Sequence, residues 1–515
     1  MIAVLATLLL AVTTNDVPAS VDRTIADITA RPTYAHSVFG IFVADQTTGQ
    51  TLIDRVGEKI FVAASIMKTY STATALKAYD PRYRFRTPVY RTGTLKGGAL
   101  AGDLVLVASG DFSFGLRDRP DDTLAFNSAP EVDHNAPARG FSGPALLPNS
   151  DPLAAMTELA REVRAKGIRS VRNVVIDDRL FAPYKGWLDG LISPIWINEN
   201  IIGITIAPTS PGRPARVDWR PKTGSIRVVS EVKTVANESR SGPLTVAPAG
   251  PGIVEIRGEI AAGGKPALRS AQIVDPAAFA RVAFTEALNR AGIAVNARAS
   301  GPNPSNLLPS PAAYTSQALV AEHVSPPLSE FVKVILKLSY NRGADVMVCL
   351  IAVKAGSRDC ADGLEAELKT ITALGVSPDS TIVYDGAGSD DAGRTSPVDE
   401  VTFLRNILTQ SWGHVVGDGM SILGVDGNEA TNQAGTPSAG KVRVKDGTRV
   451  AGSPSGQAYL SAKTFVGYVE AKSGRRLVYA VYLNNVPTTP ASIFATFLTA
   501  DRDVGTITAA IQQGY

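Results

Sequence analysis

The pattern of apolar and polar residues predicts a sheet that both ends of the chain build together. Residues 37–53 alternate on either side of a Thr-Thr-Gly turn, which is typical of two paired strands. Residues 63–79 carry Ala, Met and Leu at helical spacing until Asp80-Pro81. Near the C-terminus the pattern predicts a strand at 440–448, a hairpin around 472–474 and a final helix. We therefore expect an α+β fold with an antiparallel sheet.

The pattern changes between residues 84 and 310, where short β-like runs are broken by Gly and Pro. Residues 102–111 and 172–181 are predicted strands and 151–167 a helix, while 206–221 and 301–311 are interpreted as loops. No cluster of chemically reactive side chains stands out in this block. We interpret it as an insertion in a catalytic domain that resumes near residue 311, where 326–356 has helical spacing.

Length and charge narrow the class of protein. The 515 residues exceed one hydrophobic core, so two or three domains are expected. The net charge of +3 argues against nucleic acid or an anionic membrane as partner. Residues 1–12 are apolar, which indicates either a secretion signal lacking its positive start or a buried N-terminal strand; we expect export. No other run reaches the about 18 apolar residues of a membrane span, so membrane association is peripheral at most.

Cysteine and histidine residues give no sign of a metal site. Cys349 and Cys360 permit one disulfide or none, and the apolar surroundings of Cys349 favour a buried thiol. The four histidines are scattered without metal-ligand spacing. We expect no metal and no organic cofactor.

Three polar clusters are candidates for chemistry. Ser65 and Lys68 lie three residues apart, so on a helix they share a face, and a lysine with a lowered pKa can activate a serine. Ser339 and Asn341 can present a hydroxyl and an amide to one point, or simply end a helix. The third cluster closes an alternating strand and offers an ammonium, a close backbone approach and a hydroxyl, or else is an exposed Asp-Gly turn; its residues are Lys445, Gly447 and Thr448.

The order of these clusters resembles the Ser-x-x-Lys, Ser-x-Asn and Lys-Thr-Gly motifs of penicillin-interactive serine enzymes. More closely, the chain resembles the D-alanyl-D-alanine carboxypeptidase/endopeptidase family of class C, low-molecular-mass penicillin-binding proteins, peptidase family S13. The resemblance extends from about residue 25 through nearly the whole chain. It rests on "ASIMK", "GDLVLVASGD", "VVIDDRLF", "YDGAGSDDAGRTSP" and "GVDGNEATNQAGTPSAGKVRVKDGT".

The resemblance implies a role for each motif residue. Ser65 would be acylated, Lys68 would be its base, and Ser339 would pass a proton to the leaving amine. Asn341 would hold the substrate amide, and Lys445 would support the electrostatics of the site. Thr448 would bind the terminal carboxylate, and its backbone N–H with that of Ser65 would bind the oxyanion.

One residue departs from the family pattern, because Asp446 stands where the family has Thr or Ser. At about 4–6 Å its carboxylate would repel the substrate's own by up to a few kcal/mol. Strand alternation predicts that Asp446 faces away from Lys445. Lys441, Arg443 or Arg449 are candidates to neutralise it.

The resemblance also implies a fold and a function. The fold is that of serine β-lactamases and DD-transpeptidases, an antiparallel sheet with helices on both faces, carrying large, mainly β insertions. The expected function is an exported, periplasmic or extracytoplasmic serine D-Ala-D-Ala carboxypeptidase, with endopeptidase action as an option. Its expected partners are peptidoglycan stem peptides and inhibitory β-lactams. The alternatives are a non-catalytic relative that binds peptidoglycan or a partner protein, and, less favoured because of the chain's length, a β-lactamase.

The predicted domains are interleaved along the chain. A signal peptide at 1–20 precedes the first catalytic part at 21–86 and the second catalytic part at 311–515. One inserted domain occupies 87–118 and 203–310, and a second is nested within it at 119–202.

Overall fold

A computed structural model describes residues 17–133, 143–147, 150–186, 190–237 and 242–515. The helices are α1 Ala19–Thr29, α2 Lys68–Tyr79, α3 Ala154–Ala165, α4 Pro276–Arg290, α5 Leu328–Lys337, α6 Asn341–Lys354, α7 Ala361–Ala373, α8 Pro397–Ile407, α9 His414–Gly419 and α10 Ile493–Gly514. The first thirteen strands are β1 Val38–Asp45, β2 Thr51–Arg55, β3 Phe61–Val62, β4 Arg84–Arg91, β5 Leu95–Lys96, β6 Ala99–Leu100, β7 Asp103–Val107, β8 Glu131–Asp133, β9 Gly143–Ala145, β10 Ser170–Val171, β11 Asn173–Asp177, β12 Tyr184–Gly186 and β13 Gly190–Ile192. The remaining strands are β14 Ile201–Ala207, β15 Arg216–Arg220, β16 Arg227–Val235, β17 Thr245–Gly250, β18 Ile253–Ala261, β19 Ala267–Gln272, β20 Ala294–Val295, β21 Leu319–Pro327, β22 Arg394–Thr395, β23 Ser421–Ile422, β24 Val442–Gly452, β25 Ala458–Glu470 and β26 Arg476–Thr488.

The central sheet joins the two ends of the chain. Its six strands lie in the order β2-β1-β26-β25-β24-β23, and every neighbouring pair is antiparallel. The N-terminal β1 pairs with the C-terminal β26 from Val38↔Asn484 to Asp45↔Leu477. Apolar strands from segments more than 400 residues apart therefore build one sheet, as their pattern predicted.

Helices cover both faces of this sheet. On one face, α1 and α10 contribute Val21, Ile25, Val504 and Ile507 to a core with the inward side chains of the strands. On the other face lie α2, α5, α6 and α8, with the predicted apolar stripe of α5 buried. This two-layered covering of an antiparallel sheet confirms the predicted fold class.

Residues from the segment 89–321 form a separate apolar core. It packs α3 and α4 against several small sheets, among them β11-β7-β4-β21 and β16-β18-β17. The interpretation of 206–221 as a loop was wrong in part, because Arg216–Arg220 forms β15, paired with β14. The additional β-rich region is present, while the domain boundaries stay a prediction.

Two further expectations concern the chain around α6. The helical stretch 326–356 divides into α5 and α6 at Ser339, whose φ of 54° is left-handed and cannot continue a helix. The expectation of a free thiol at Cys349 was wrong, because Cys349 forms a disulfide with Cys360 at the start of α7. Of the predicted signal peptide at 1–20, residues 1–16 lie outside the described residues.

Candidate active site

Ser65 and Lys68 are in contact at the start of α2. A single 3₁₀ turn, Ala64–Met67, precedes this helix and places the Ser65 hydroxyl one turn before Lys68. Lys68 Nζ donates a hydrogen bond to Ser65 Oγ at 2.7 Å. Ala64 has a φ of 52°, a left-handed conformation that is costly for alanine and is common where a site imposes geometry.

The side-chain nitrogen of Lys68 is fully buried, and its surroundings lower its affinity for a proton. Burial, and next the charge of Lys445, lower the pKa of Lys68 to about 7, against the opposing pull of Asp385. Nζ also donates to the carbonyl of Ala387 at 2.7 Å. The Asp385 carboxylate accepts the N–H of Ala387 at 2.9 Å, which fixes the carbonyl that positions Lys68. Near neutral pH, this amine is therefore available as a base beside a hydroxyl.

The second cluster lies between α5 and α6 and faces the same cavity. Ser339 Oγ accepts a hydrogen bond from Lys445 Nζ at 3.0 Å, and no direct bond joins the Ser339 and Ser65 hydroxyls in the described part of the chain. Asn341 begins α6, and its Oδ1 is buried with no hydrogen-bond partner among the described residues. A buried amide oxygen aimed into a cavity is suited to accept a substrate N–H.

The third cluster lies on β24, which passes directly against the Ser65 turn. A methyl group in place of the Gly447 hydrogen would lie 3.2 Å from Ser65 N and 2.1 Å from Thr464 Oγ1. Glycine is thus required for this close approach. Lys445 lies in mid-strand rather than at a strand end, because β24 continues to Gly452. The reading as an exposed Asp-Gly turn was therefore wrong.

The prediction that Asp446 faces away from Lys445 was also wrong. The Lys445 side chain curls back along the strand, so that Nζ lies 3.1 Å from Asp446 Oδ1 and also donates to the Asp446 carbonyl. Asp446 lines the cavity. Burial alone would raise the pKa of this carboxyl, but the ammonium groups of Lys445 and Lys463 outweigh burial and hold the pKa well below its usual range. Asp446 is thus an anion at neutral pH.

Lys463 on β25 is the cation that the sequence reasoning missed. It donates to Thr448 Oγ1 at 3.1 Å and lies 3.8 Å from Asp446 Oδ2 and 2.6 Å from Asp501 Oδ1. Burial opposes its charge, but Asp501 and Glu429 outweigh that effect and raise the pKa of Lys463. The signal in the sequence that could have revealed Lys463 was the presence of a lysine within the apolar run of a central strand. Two suggested neutralisers have other partners, since Lys441 pairs with Glu470 and Arg449 with Asp391.

The three clusters surround one cavity of about 550 Å³. Ser65, Ser339, Asn341 and Thr448 line it, whereas the fully buried Lys68 and Lys445 lie behind its wall. One side is apolar and is formed by Phe494, Phe497 and Leu498 of α10. The structure therefore brings together the six residues to which the family resemblance assigns a role.

Neither a metal cluster nor a membrane-spanning helix is found in the described ranges. No group of three or more His, Cys, Asp or Glu side chains there is arranged to hold a metal ion. No described helix is both long and apolar enough to cross a bilayer.

Comparison with known proteins decides the family. Residues 21–495 match the family model of "D-Ala-D-Ala carboxypeptidase 3 (S13) family". The chain belongs to this family. The S13 identification made from the motif order is confirmed, and with it the class of serine carboxypeptidases.

Relatives and solved structures agree with the S13 assignment. A D-alanyl-D-alanine carboxypeptidase of Actinomadura sp. is 24% identical over 90% of this chain and 80% of its own length. The carboxypeptidase DacB of Haemophilus influenzae is 22% identical, over 80% of this chain and 79% of its own length.

The crystal structure of penicillin binding protein 4 (dacB) from Haemophilus influenzae has a TM-score of 0.71 at 18% identity, covering 95% of this chain and 99% of that one. A second structure of that protein, complexed with a β-lactam, has a TM-score of 0.66.

Proposed function

We propose that this S13 protein hydrolyses the D-Ala-D-Ala end of peptidoglycan stem peptides through an acyl-enzyme on Ser65. The observation that carries the proposal is the 2.7 Å contact between Ser65 Oγ and the buried Lys68 Nζ. A serine hydroxyl is a weak nucleophile until a base removes its proton. A lysine whose pKa lies about 7 supplies that base near neutral pH.

Acylation follows from the positions of four groups. Ser65 Oγ forms a bond to the carbonyl carbon of the penultimate D-Ala while its proton moves to Lys68. The negative oxygen that results is held by the backbone N–H groups of Ser65 and Thr448; the close approach of Gly447, the residue before Thr448, to Ser65 N supports this pairing. Asn341, whose buried Oδ1 has no partner in the part of the chain that the structure describes, accepts the N–H of the bound peptide.

The C–N bond then breaks, and the leaving nitrogen needs a proton. Ser339 gives its own to that nitrogen and recovers one from Lys68, while Lys445, 3.0 Å from Ser339 Oγ, fixes the hydroxyl. The Thr448 hydroxyl holds the terminal group of the leaving residue. Water next attacks the ester carbonyl while Lys68 takes a proton from it; the bond to Ser65 Oγ then breaks, Lys68 returns the proton to Ser65 Oγ, and the shortened peptide leaves as the free acid. Catalysis thus uses side chains and backbone donors of this chain alone.

The same acylation chemistry extends to β-lactams, whose strained amide carbonyl would occupy the same position. The β-lactam complex of the Haemophilus protein supports this extension. We further propose that the protein acts outside the cytoplasm, where peptidoglycan is located and where disulfides persist. The Cys349–Cys360 disulfide supports this location.

Release of D-alanine from a muramyl pentapeptide tests the proposal. We expect wild-type protein to release it and Ser65→Ala to lower the rate about 10³-fold or more. Asp418→Asn, a change on α9, is the matched control and should retain activity. Failure of the wild type to release D-alanine from any D-Ala-D-Ala peptide would instead favour the alternative of a non-catalytic binding protein.

A further inference from the structure

The end of the cavity that receives the leaving residue contains a carboxylate, Asp446, where the family pattern has a hydroxyl. Asp446 and Thr448 are two residues apart on β24, so their side chains lie on the same face of the strand. Both line the cavity. Lys463 donates to Thr448 Oγ1, which leaves the hydroxyl proton free to be donated elsewhere. The Asp446 carboxylate, an acceptor, and the Thr448 hydroxyl, a donor, thus lie next to each other.

Geometry places the carboxyl group of the leaving residue beside this pair. The leaving nitrogen must come within hydrogen-bonding distance of Ser339 Oγ to receive its proton. Lys445 Nζ bridges that hydroxyl and Asp446 Oδ1, at 3.0 Å and 3.1 Å. The carboxyl oxygens of an α-amino acid extend about 3.5 Å from its nitrogen. The carboxyl of the leaving residue, or the group that replaces it, therefore lies within reach of Asp446.

The cations of this region are already committed to carboxylates of the protein. Among the described residues at this end of the cavity, the pairs are Lys445 with Asp446 at 3.1 Å, Lys463 with Asp501 at 2.6 Å, and Arg449 with Asp391 at 3.2 Å. A free carboxylate on the leaving residue would add an anion to a region with no cation in excess. A carboxamide adds no charge, and its N–H₂ and C=O groups complement the Asp446 acceptor and the Thr448 donor.

We propose that Asp446 makes the enzyme select leaving residues whose carboxyl is amidated, as an amidated terminus or as an amidated centre within a cross-link. The inference rests on the proposed DD-peptidase function and specifies its substrate class. The chemistry is unchanged: the amide bond is hydrolysed, and the amine product is an amino acid amide in place of an amino acid. Asp446 is thus a specificity-determining residue that contacts substrate.

The test compares two peptides that differ only at this group, diacetyl-L-Lys-D-Ala-D-Ala and its C-terminal carboxamide. For the wild type we expect kcat/KM to be about tenfold or more higher for the carboxamide. Asp446→Thr should raise kcat/KM for the free acid about tenfold and abolish or invert the preference. Asp446→Glu, which keeps the charge, should keep the preference, whereas Asp446→Asn should lose it.

Each result decides the inference. A wild-type preference for the free acid overturns the inference without touching the proposed function, and this measurement requires no variant to fold. Equal preference in wild type and Asp446→Thr overturns it as well. Hydrolysis of neither peptide, together with no acylation by benzylpenicillin, overturns the proposed function and the inference with it.

Discussion

The two halves of the cavity are built in different ways. The acylating half contains Ser65 and Lys68, which lie three residues apart at the start of α2 and contact each other directly, and Ser339, which lies before α6 and accepts a hydrogen bond from Lys445. The leaving-residue half consists of Asp446, Lys463 and Asp501, which form a buried charge network across β24, β25 and α10. Local helix geometry thus fixes the Ser65–Lys68 pair in the first half. In the second half, long-range pairing fixes which substrate end the site accepts.

The largest effect is expected when the base of the acylating half, Lys68, is removed. Lys68→Met should lower the acylation rate by benzylpenicillin about 10³-fold, because within the described part of the chain no other side chain forms a hydrogen bond with the Ser65 hydroxyl. In the wild type, only the neutral amine accepts the Ser65 proton, so the rate should rise with pH up to the pKa of about 7 and then level off. Stopped-flow acylation from pH 5 to 9 measures both effects.

A pH profile without this rise would show that Lys68 is not the base. Lys77→Met, at the solvent-facing end of the same helix, is the matched control and should leave the profile unchanged.

The next effect concerns the proton relay. Ser339→Ala should lower the rate of peptide hydrolysis about 10²-fold, because the leaving amine then lacks its donor. Acylation by an activated ester, whose leaving group needs no proton, should fall much less. Equal losses with both substrates would contradict the relay and indicate that Ser339 only holds Lys445 in place.

Removing the buried cation of the leaving-residue half should have the smallest effect on the reaction rate but a clear effect on stability. Lys463→Met removes a fully buried ammonium from Asp446 and Asp501 and should lower the free energy of unfolding by about 3 kcal/mol. Urea unfolding measures it. Lys441→Met, which breaks an exposed pair with Glu470, should change stability by less than about 1 kcal/mol. Similar losses in both variants would show that the buried network contributes little.

The sequence allowed the Ser65–Lys68 pair to be predicted because its three-residue spacing is local information. Helical spacing placed Lys68 beside Ser65, and the order of the three motifs connected them with Ser339 and Lys445. The central sheet was predicted for a related reason, since β1, β25 and β26 are apolar runs separated by turn residues.

The charge network was not predictable in the same way. Alternation is a rule about Cα–Cβ directions, and the long Lys445 side chain turns back along its own strand to reach Asp446. Lys463 meets Asp446 and Asp501 only through the register of β24 with β25 and the packing of α10. The Cys349–Cys360 bond likewise depends on how α7 starts beneath α6. Such contacts depend on tertiary structure, which spacing along the chain does not specify.

The most direct test of the central claim is to locate the acyl group. After incubation with excess benzylpenicillin, intact-mass spectrometry should show one penicilloyl group per chain, and peptide mapping should assign it to Ser65, within "FVAASIMKTYST". Ser65→Ala should carry none. A protein that releases D-alanine while its adduct maps to another residue would contradict the account.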